Sequence, residues 1–280
     1  MSRKSFRLLL NLCLCGVLCF TFTLEAAPQA ELWEEWLPSP SATEEYTERP
    51  SWALWQAFLE RYVSTDSSGL NRVDYAAVTE DDKLALNRLQ DSLVNVDPRG
   101  WSDSEQQAFW INSYNLSVVS LVLQHYPVSS IKDIRLSFKS LFNGGPWEDK
   151  LIKVAGIKLS LNDIEHRILR PIWKDQRFHF ALNCASVGCP NLANDIYRAQ
   201  TLNEQLNLAE KTFLQSLRGF ERTDNAYQVS SIFNWYWRDF SDKKTNLWEY
   251  FQKQGLIDEP VEGFQYQYDW SLNEAMPETR

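Results

Sequence analysis

The side chains best placed for chemistry lie in one stretch, His179-Phe180-Ala181-Leu182-Asn183-Cys184-Ala185-Ser186-Val187-Gly188-Cys189-Pro190. Arg177 to Leu182 alternates and predicts a strand that delivers Cys184 to its end, where small residues let the chain turn tightly. A nucleophile or a binding loop belongs in such a place, with Asn183 and Ser186 as substrate-binding candidates. Thiolate chemistry needs a base or a positive environment to lower the thiol pKa. His179, five residues upstream on a strand, is on the wrong face or too far away unless the chain bends. His166, from another element, is geometrically freer. The competing reading is a Cys184–Cys189 disulfide, which would stabilise by roughly 2 kcal/mol in the chain-entropy picture. Cys184, Cys189, His166 and His179 would be enough ligands for zinc, but their spacing matches no common zinc pattern. No metal or cofactor is therefore expected.

Two further groups need an explanation. In Asp163-Ile164-Glu165-His166, adjacent helical residues point about 100° apart, so Glu165 and His166 cannot easily bond each other. Asn162 and Arg170 lie four residues from His166 and Asp163 lies three away, so Asp163 or Asn162 is expected to orient the imidazole. A helix histidine of this kind can equally be structural. In Phe109-Trp110-Ile111-Asn112-Ser113-Tyr114-Asn115, Asn112 and Asn115 share a helix face. A buried amide without partners costs roughly 1–3 kcal/mol. Both must therefore bond to something specific, pinning a neighbouring loop or forming a site wall that orients a catalytic group. Asn143, in the Gly-rich loop Phe142 to Pro146, is a further substrate-binding candidate.

The elements that must position these residues can be read along the chain. Trp52, Trp55, Phe58, Leu59 and Tyr62 recur at helical spacing. Val73 to Val78 reads as extended, and a helix from about Asp81 to Val94 comes next. Ser102 with Glu105 forms a capping box for a central helix ended by Pro127, whose run Ala108 to Tyr126 holds no Asp, Glu, Lys or Arg. Leu151 to Leu159 predicts a hairpin turning at Ala155-Gly156. Ser160 with Asp163 caps a helix to Arg170, and Thr201 with Glu204 caps another to about Leu217. Short strands near Gly219–Arg222 and Tyr227–Ser230 precede helical material from Ile232 to Gln254, and Phe264 to Tyr268 reads as extended. Strands are few and do not alternate regularly with helices. The pattern is α+β, a helix-rich single domain around a small, mostly antiparallel sheet.

Composition sets the frame. The chain has 280 residues, 44% hydrophobic and 14% aromatic with 12 Trp, enough apolar mass to exclude a disordered chain or a disulfide-stapled miniprotein. Arg3, Lys4 and Arg7 precede the largely apolar run Leu8 to Leu24, which ends at Glu25-Ala26-Ala27. Residues 1–26 read as a secretory signal peptide, placing the mature protein in the periplasm or outside the cell with no stable membrane span. Its removal makes the formal charge of −9 more negative by two, which argues against a nucleic-acid partner. Residues 27–50 read as an extended or disordered lead, 51–275 as the globular domain and 276–280 as a tail. A small-molecule or peptide substrate fits this frame.

Six collinear motifs carry a resemblance: AFWINSYN (Ala108–Asn115), HYPVSSIKDI (His125–Ile134), FNGGPW (Phe142–Trp147), LSLNDIEHRILR (Leu159–Arg170), HFALNCASVGCPNL (His179–Leu192) and YDWSLN (Tyr268–Asn273). Together they resemble the domain of unknown function 547 family. The resemblance implies a distant similarity to papain-like and transglutaminase-like folds, which bring a thiol, a histidine and an acid or amide together. Plant relatives vary at the cysteine positions while keeping the Glu-His pair, which implies a role for Glu165 and His166. The expectation is an exported thiol-dependent hydrolase or acyl transferase for a peptide-like amide or a small γ-glutamyl-type substrate. Cys184 is its nucleophile, His166 its base and His179 the alternate base. Asn115 or Asp163 orients the imidazole, and amides near Ala185 and Ser186 bind the oxyanion. The alternative is a non-catalytic envelope binding or assembly protein stapled by Cys184–Cys189.

Overall fold

The core begins upstream of the first expected helix. The computed structural model describes residues 28–38, 48–142, 144–223 and 226–275; the expected signal peptide, Asn143 and the tail 276–280 lie outside the described residues. The described part of the lead is seated on the domain, with Trp36 completely buried and edge-on to Trp110 at 5.0 Å. Helix α1, Ala53–Tyr62, buries Trp55, Phe58, Leu59 and Tyr62, the single stripe that helical periodicity requires. A hairpin of β1, Val63–Thr65, and β2, Asn71–Val73, comes next. Val73 to Val78, expected to be extended, instead enters a 3-10 turn at Tyr75–Ala77, because the Asp74 side chain accepts the Ala77 N–H. Helix α2, Glu80–Ser92, is capped by Thr79.

Helix α3, Asp103–His125, opens on the expected capping box between Ser102 and Glu105. From Ala108 to Leu123 every residue is buried, so this helix is the axis around which the rest packs. After α4, Phe138–Phe142, strands β3, Ile152–Val154, and β4, Ile157–Leu159, form the expected hairpin. Its turn residues Ala155 and Gly156 both have positive φ, 47° and 77°, as a tight two-residue turn demands.

Ser160 and Asp163 cap the next helix reciprocally, but its body, Asp163–Leu169, is π-wound before it continues as α5, Arg170–Trp173. Pro171 supplies the reason. It has no N–H, and its ring crowds the carbonyl four residues back, which a wider turn relieves. The carbonyls of His166 and Arg167, five and four residues before Pro171, are filled from outside. Glu31 N–H donates to the first at 2.9 Å and Trp33 N–H to the second at 3.0 Å. The lead thus completes this helix.

Arg177 to Leu182, expected as a strand, is a one-turn helix, α6, Phe178–Ala181. All four of its residues are buried, Phe178 in the core around α3 and Phe180 in a second cluster with Phe213, Phe233 and Phe251. The apolar alternation therefore reflects two cores, not two faces of a sheet. Helix α7, Leu202–Leu214, stops short of Leu217 and lacks the expected Thr201 cap, since that hydroxyl turns to Gln205. Strands β5, Phe220–Arg222, and β6, Tyr227–Ser230, are antiparallel. Helices α8, Ile232–Trp235, α9, Trp237–Phe240, and α10, Leu247–Lys253, then lead to β7, Gln265–Gln267, which joins β6 in parallel. About 49% of the structure is helix and 11% strand, a helix-rich α+β domain whose strands are split among three small sheets. Among the described residues no helix is long and apolar enough to cross a membrane.

Candidate functional site

Cys184 sits half-buried in the loop after α6, and three groups converge on its sulfur. Tyr268 OH lies 3.0 Å away, Ser186 Oγ 3.1 Å and Cys189 Sγ 2.8 Å. The Cys184 N–H donates to Cys189 Sγ at 2.9 Å, and both cysteines are free. Burial alone would push the Cys184 thiol up. Hydrogen bonds from Cys189, Ser186, Tyr268 and the Ser186 N–H outweigh it and hold the thiol below its ordinary value. Cys189 moves the other way, raised by burial and by its bond to Cys184. One proton lost from the pair therefore leaves a thiolate on Cys184.

The loop is held open by its framework. Ala185 is left-handed at φ 58°, a conformation costing a non-glycine residue roughly 1–2 kcal/mol. Its N–H donates to Asn183 Oδ1 at 2.9 Å, and its carbonyl accepts the Asn273 N–H at 3.1 Å. The closing segment of the chain clamps Val187 and Gly188, with Val187 N–H on Ser271 O and Gly188 N–H on Asp269 O, both 2.8 Å. A Cβ at Gly188 would fall 2.7 Å from the Asp269 nitrogen, so only glycine allows this approach. Asn115 accepts the Asn183 N–H and donates to Ala181 O, both at 2.9 Å. Asn112 clamps Tyr197 through both its groups, and Asn183 Nδ2 donates to Pro190 O. Each of these three amides is committed to loop backbone.

The histidines belong to a different group, buried between the two cores. Arg170 donates to His166 Nδ1 at 2.9 Å, and to Asp239 through Nε at 2.6 Å and Nη2 at 3.1 Å. His179 faces Asp239 at 2.7 Å through Nε2 and Glu165 at 3.6 Å through Nδ1, and stacks on Tyr236 with centroids 4.2 Å apart. Glu165 Oε1 is 3.8 Å from His166 Nδ1, too far for a hydrogen bond, while Tyr114 OH donates to Glu165 Oε2 at 3.4 Å. Burial would raise the Glu165 pKa, yet His166, His179 and Arg170 outweigh it and hold it down at about 2. Asp239 is likewise held well below the usual carboxylate range by His179 and Arg170, against its burial.

This geometry changes the roles expected for two residues. Among the described residues no hydrogen bond joins Cys184 to His166 or His179. With Nδ1 accepting from Arg170, neutral His166 carries its proton on Nε2. Burial, and then the Arg170 charge, pull its pKa down to about 4 although Glu165 opposes them. His166 is therefore a donor at neutral pH, not a base. Asp163, expected to orient it, instead caps its own helix and binds Lys150 and Arg167.

A pH dependence arises from His166. Between its ordinary value of 6.5 and about 4, the unfolded chain binds the proton and the folded one does not. Stability is therefore complete above 6.5 and falls as pH falls, by about 3 kcal/mol in total. Glu165 adds a second loss between 4.5 and about 2. Urea unfolding of the His166→Gln variant should show a flattened profile between pH 6.5 and 4; an unchanged slope would assign the loss to another group.

Residues 98–214, which supply α3, the π-wound helix and the thiol loop, match the family model described as "Protein of unknown function, DUF547". That segment is similar to this family. No curated protein and no solved structure matches the chain. The matched segment contributes Cys184, Ser186, Cys189, Glu165, His166, Arg170 and His179, while Asp239 and Tyr268 come from beyond it. The last two, with Tyr236, were missed in the sequence. Tyr268 had a signal, since it opens the YDWSLN motif. Arg170 was visible as the residue four beyond His166, but its link to Asp239, 69 residues away, was not. The four side chains of a zinc arrangement fall in separate groups, and among the described residues no group of three or more His, Cys, Asp or Glu could hold a metal ion.

Proposed function

We propose that the chain is a thiol-dependent hydrolase or acyl transferase for a peptide-like amide or a small γ-glutamyl-type substrate, with Cys184 as nucleophile. The observation that carries this reading is the convergence of Tyr268 OH, Ser186 Oγ and the Ser186 N–H on the Cys184 sulfur. These donors hold the thiol below its ordinary value and so favour its thiolate, with Tyr268 OH also accepting from Ser186 Oγ at 3.0 Å. They also lie beside the oxygen that becomes negative when that sulfur adds to a carbonyl. The sulfur attacks the carbonyl carbon and forms the C–S bond as the carbonyl π pair moves to oxygen. Collapse of that intermediate breaks the C–N bond, and the departing amine takes the Tyr268 proton. Water or an acceptor amine then attacks the thioester and gives its proton back to the Tyr268 phenolate, as the C–S bond breaks and the Cys184 thiolate leaves. The Ala185 N–H is committed to Asn183, so the oxyanion falls to the Ser186 donors. The basic and apolar leader supports export to the periplasm or the medium.

A second reading is favoured by the 2.8 Å contact between Cys184 and Cys189: a non-catalytic envelope binding or assembly protein with these residues as a disulfide staple. Reaction of reduced protein with p-nitrophenyl acetate separates the two. The acyl-transfer reading expects a p-nitrophenolate burst equal to the protein concentration, an acetyl group on Cys184, and no burst from Cys184→Ala. A reduced protein with a free Cys184 and no burst would overturn it. A native mass lower by two hydrogens, restored by reductant without any gain in reactivity, would establish the staple.

A further inference from the structure

Tyr268, whose hydroxyl touches Cys184, is also the first ring of a half-buried aromatic surface. Its ring lies 4.6 Å from Trp270 and 4.8 Å from Trp235, while Trp270 lies 5.7 Å from Trp235 and 6.0 Å from Trp147. These rings come from three separate segments: the end of the Gly-Gly-Pro-Trp loop, the last residue of α8 and the segment after β7. Trp147, Trp235 and Tyr268 each back onto one of the two cores, but Trp270 packs against neither. Its neighbours are the three other rings and Lys132, whose Nζ stands 4.9 Å from the indole centroid. Among the described residues no carboxylate pairs with Lys132, although the chain is acidic overall.

We infer that this surface is the substrate platform of the Cys184 site and that it takes an acidic amino sugar carrying an amide-linked substituent. The inference rests on the acyl-transfer reading for the amide, and on the platform itself for the sugar and the acid. Half-exposed indole and phenol faces offer flat apolar area with a negative quadrupole, which suits the C–H face of a pyranose. The Lys132 ammonium, which lies over the Trp270 ring, has no carboxylate partner among the described residues, so an anionic oxygen on the ligand would gain a charge-assisted bond at the rim. A fatty acyl chain would make no use of that charge. A ring seated on Trp270 and Trp235 places its substituent toward Tyr268, and so toward the sulfur 3.0 Å beyond the hydroxyl.

The test uses the full chain with Cys184→Ser, so that binding is read without turnover. The probes are N-acetylmuramic acid, which keeps a free carboxylate beside its amide-linked acetyl group, neutral tri-N-acetylglucosamine and free D-lactate, each titrated calorimetrically. The acidic amino sugar should bind, with Trp270→Ala weakening it about tenfold, the scale of one lost stacking contact. Lys132→Met should weaken the acidic amino sugar and leave the neutral trisaccharide unchanged. Equal binding of free D-lactate would overturn the sugar assignment. No binding of any probe, or no effect of Trp270→Ala in a variant with wild-type unfolding behaviour, would overturn the platform. The acetylation burst at Cys184 is read separately, so the failure of one proposal is distinguishable from the failure of the other.

Discussion

Asp239→Ala should destabilise the fold by about 3 kcal/mol, the lower end of the range for removing one partner of a buried ion pair. The Arg170 side chain is only 6% exposed, and Asp239 takes both its Nε and its Nη2 while also facing His179. Removing the carboxylate leaves a buried guanidinium without its counter-charge and a histidine nitrogen without its partner. The lower end applies because the Asp239 side chain is 22% exposed, which lets water replace part of the loss. The double variant Asp239→Leu with Arg170→Met should recover most of the stability, since removing both charges removes the desolvation cost with the attraction. Urea unfolding at neutral pH measures both. A single-variant loss under about 0.5 kcal/mol, typical of an exposed pair, would mean that the cluster is not a buried ion network.

Trp36→Ala should cost about 3–5 kcal/mol, as for other fully buried aromatic residues. Trp36 is 0% exposed, lies edge-on to Trp110 and sits below the Arg99 guanidinium at 5.7 Å. The loss should also loosen the backbone bonds from Glu31 and Trp33 that fill the carbonyls left open by Pro171. Trp36→Phe should cost less, because the indole N–H is buried without a partner. Denaturation should report the stability, and near-ultraviolet dichroism should report loss of the Trp36–Trp110 pair. A Trp36→Ala protein with unchanged stability would place the lead outside the cooperative fold.

These two residues show where the sequence was legible and where it was not. The Ser102–Glu105 box and the Ala155-Gly156 turn are local devices, complete within a few residues, and their elements stand where spacing put them. Trp36 was invisible as core because its partner Trp110 is remote and its own stretch is rich in Glu, Pro and Ser. The strand expected over Arg177 to Leu182 failed because α6 is buried on every side, and a fully buried segment gives periodicity no solvent face to report. That error also kept His179 on the Cys184 strand, when α6 turns it toward Asp239. Cys184, Ser186 and Cys189 were found as one loop. Tyr268, which completes their hydrogen bonding from 84 residues away, could be placed there only by the fold.

The most direct measurement is the pH dependence of iodoacetamide alkylation on the reduced, folded protein, tracked by intact mass and peptide mapping. The account predicts a single fast adduct on Cys184 whose rate rises at a lower pH than that of a free cysteine, with Cys189 modified only after unfolding. Tyr268→Phe should move that rise to higher pH. A first adduct on Cys189, or a Cys184 rate that rises no earlier than a free thiol, would contradict the assignment of Cys184 as the thiolate nucleophile.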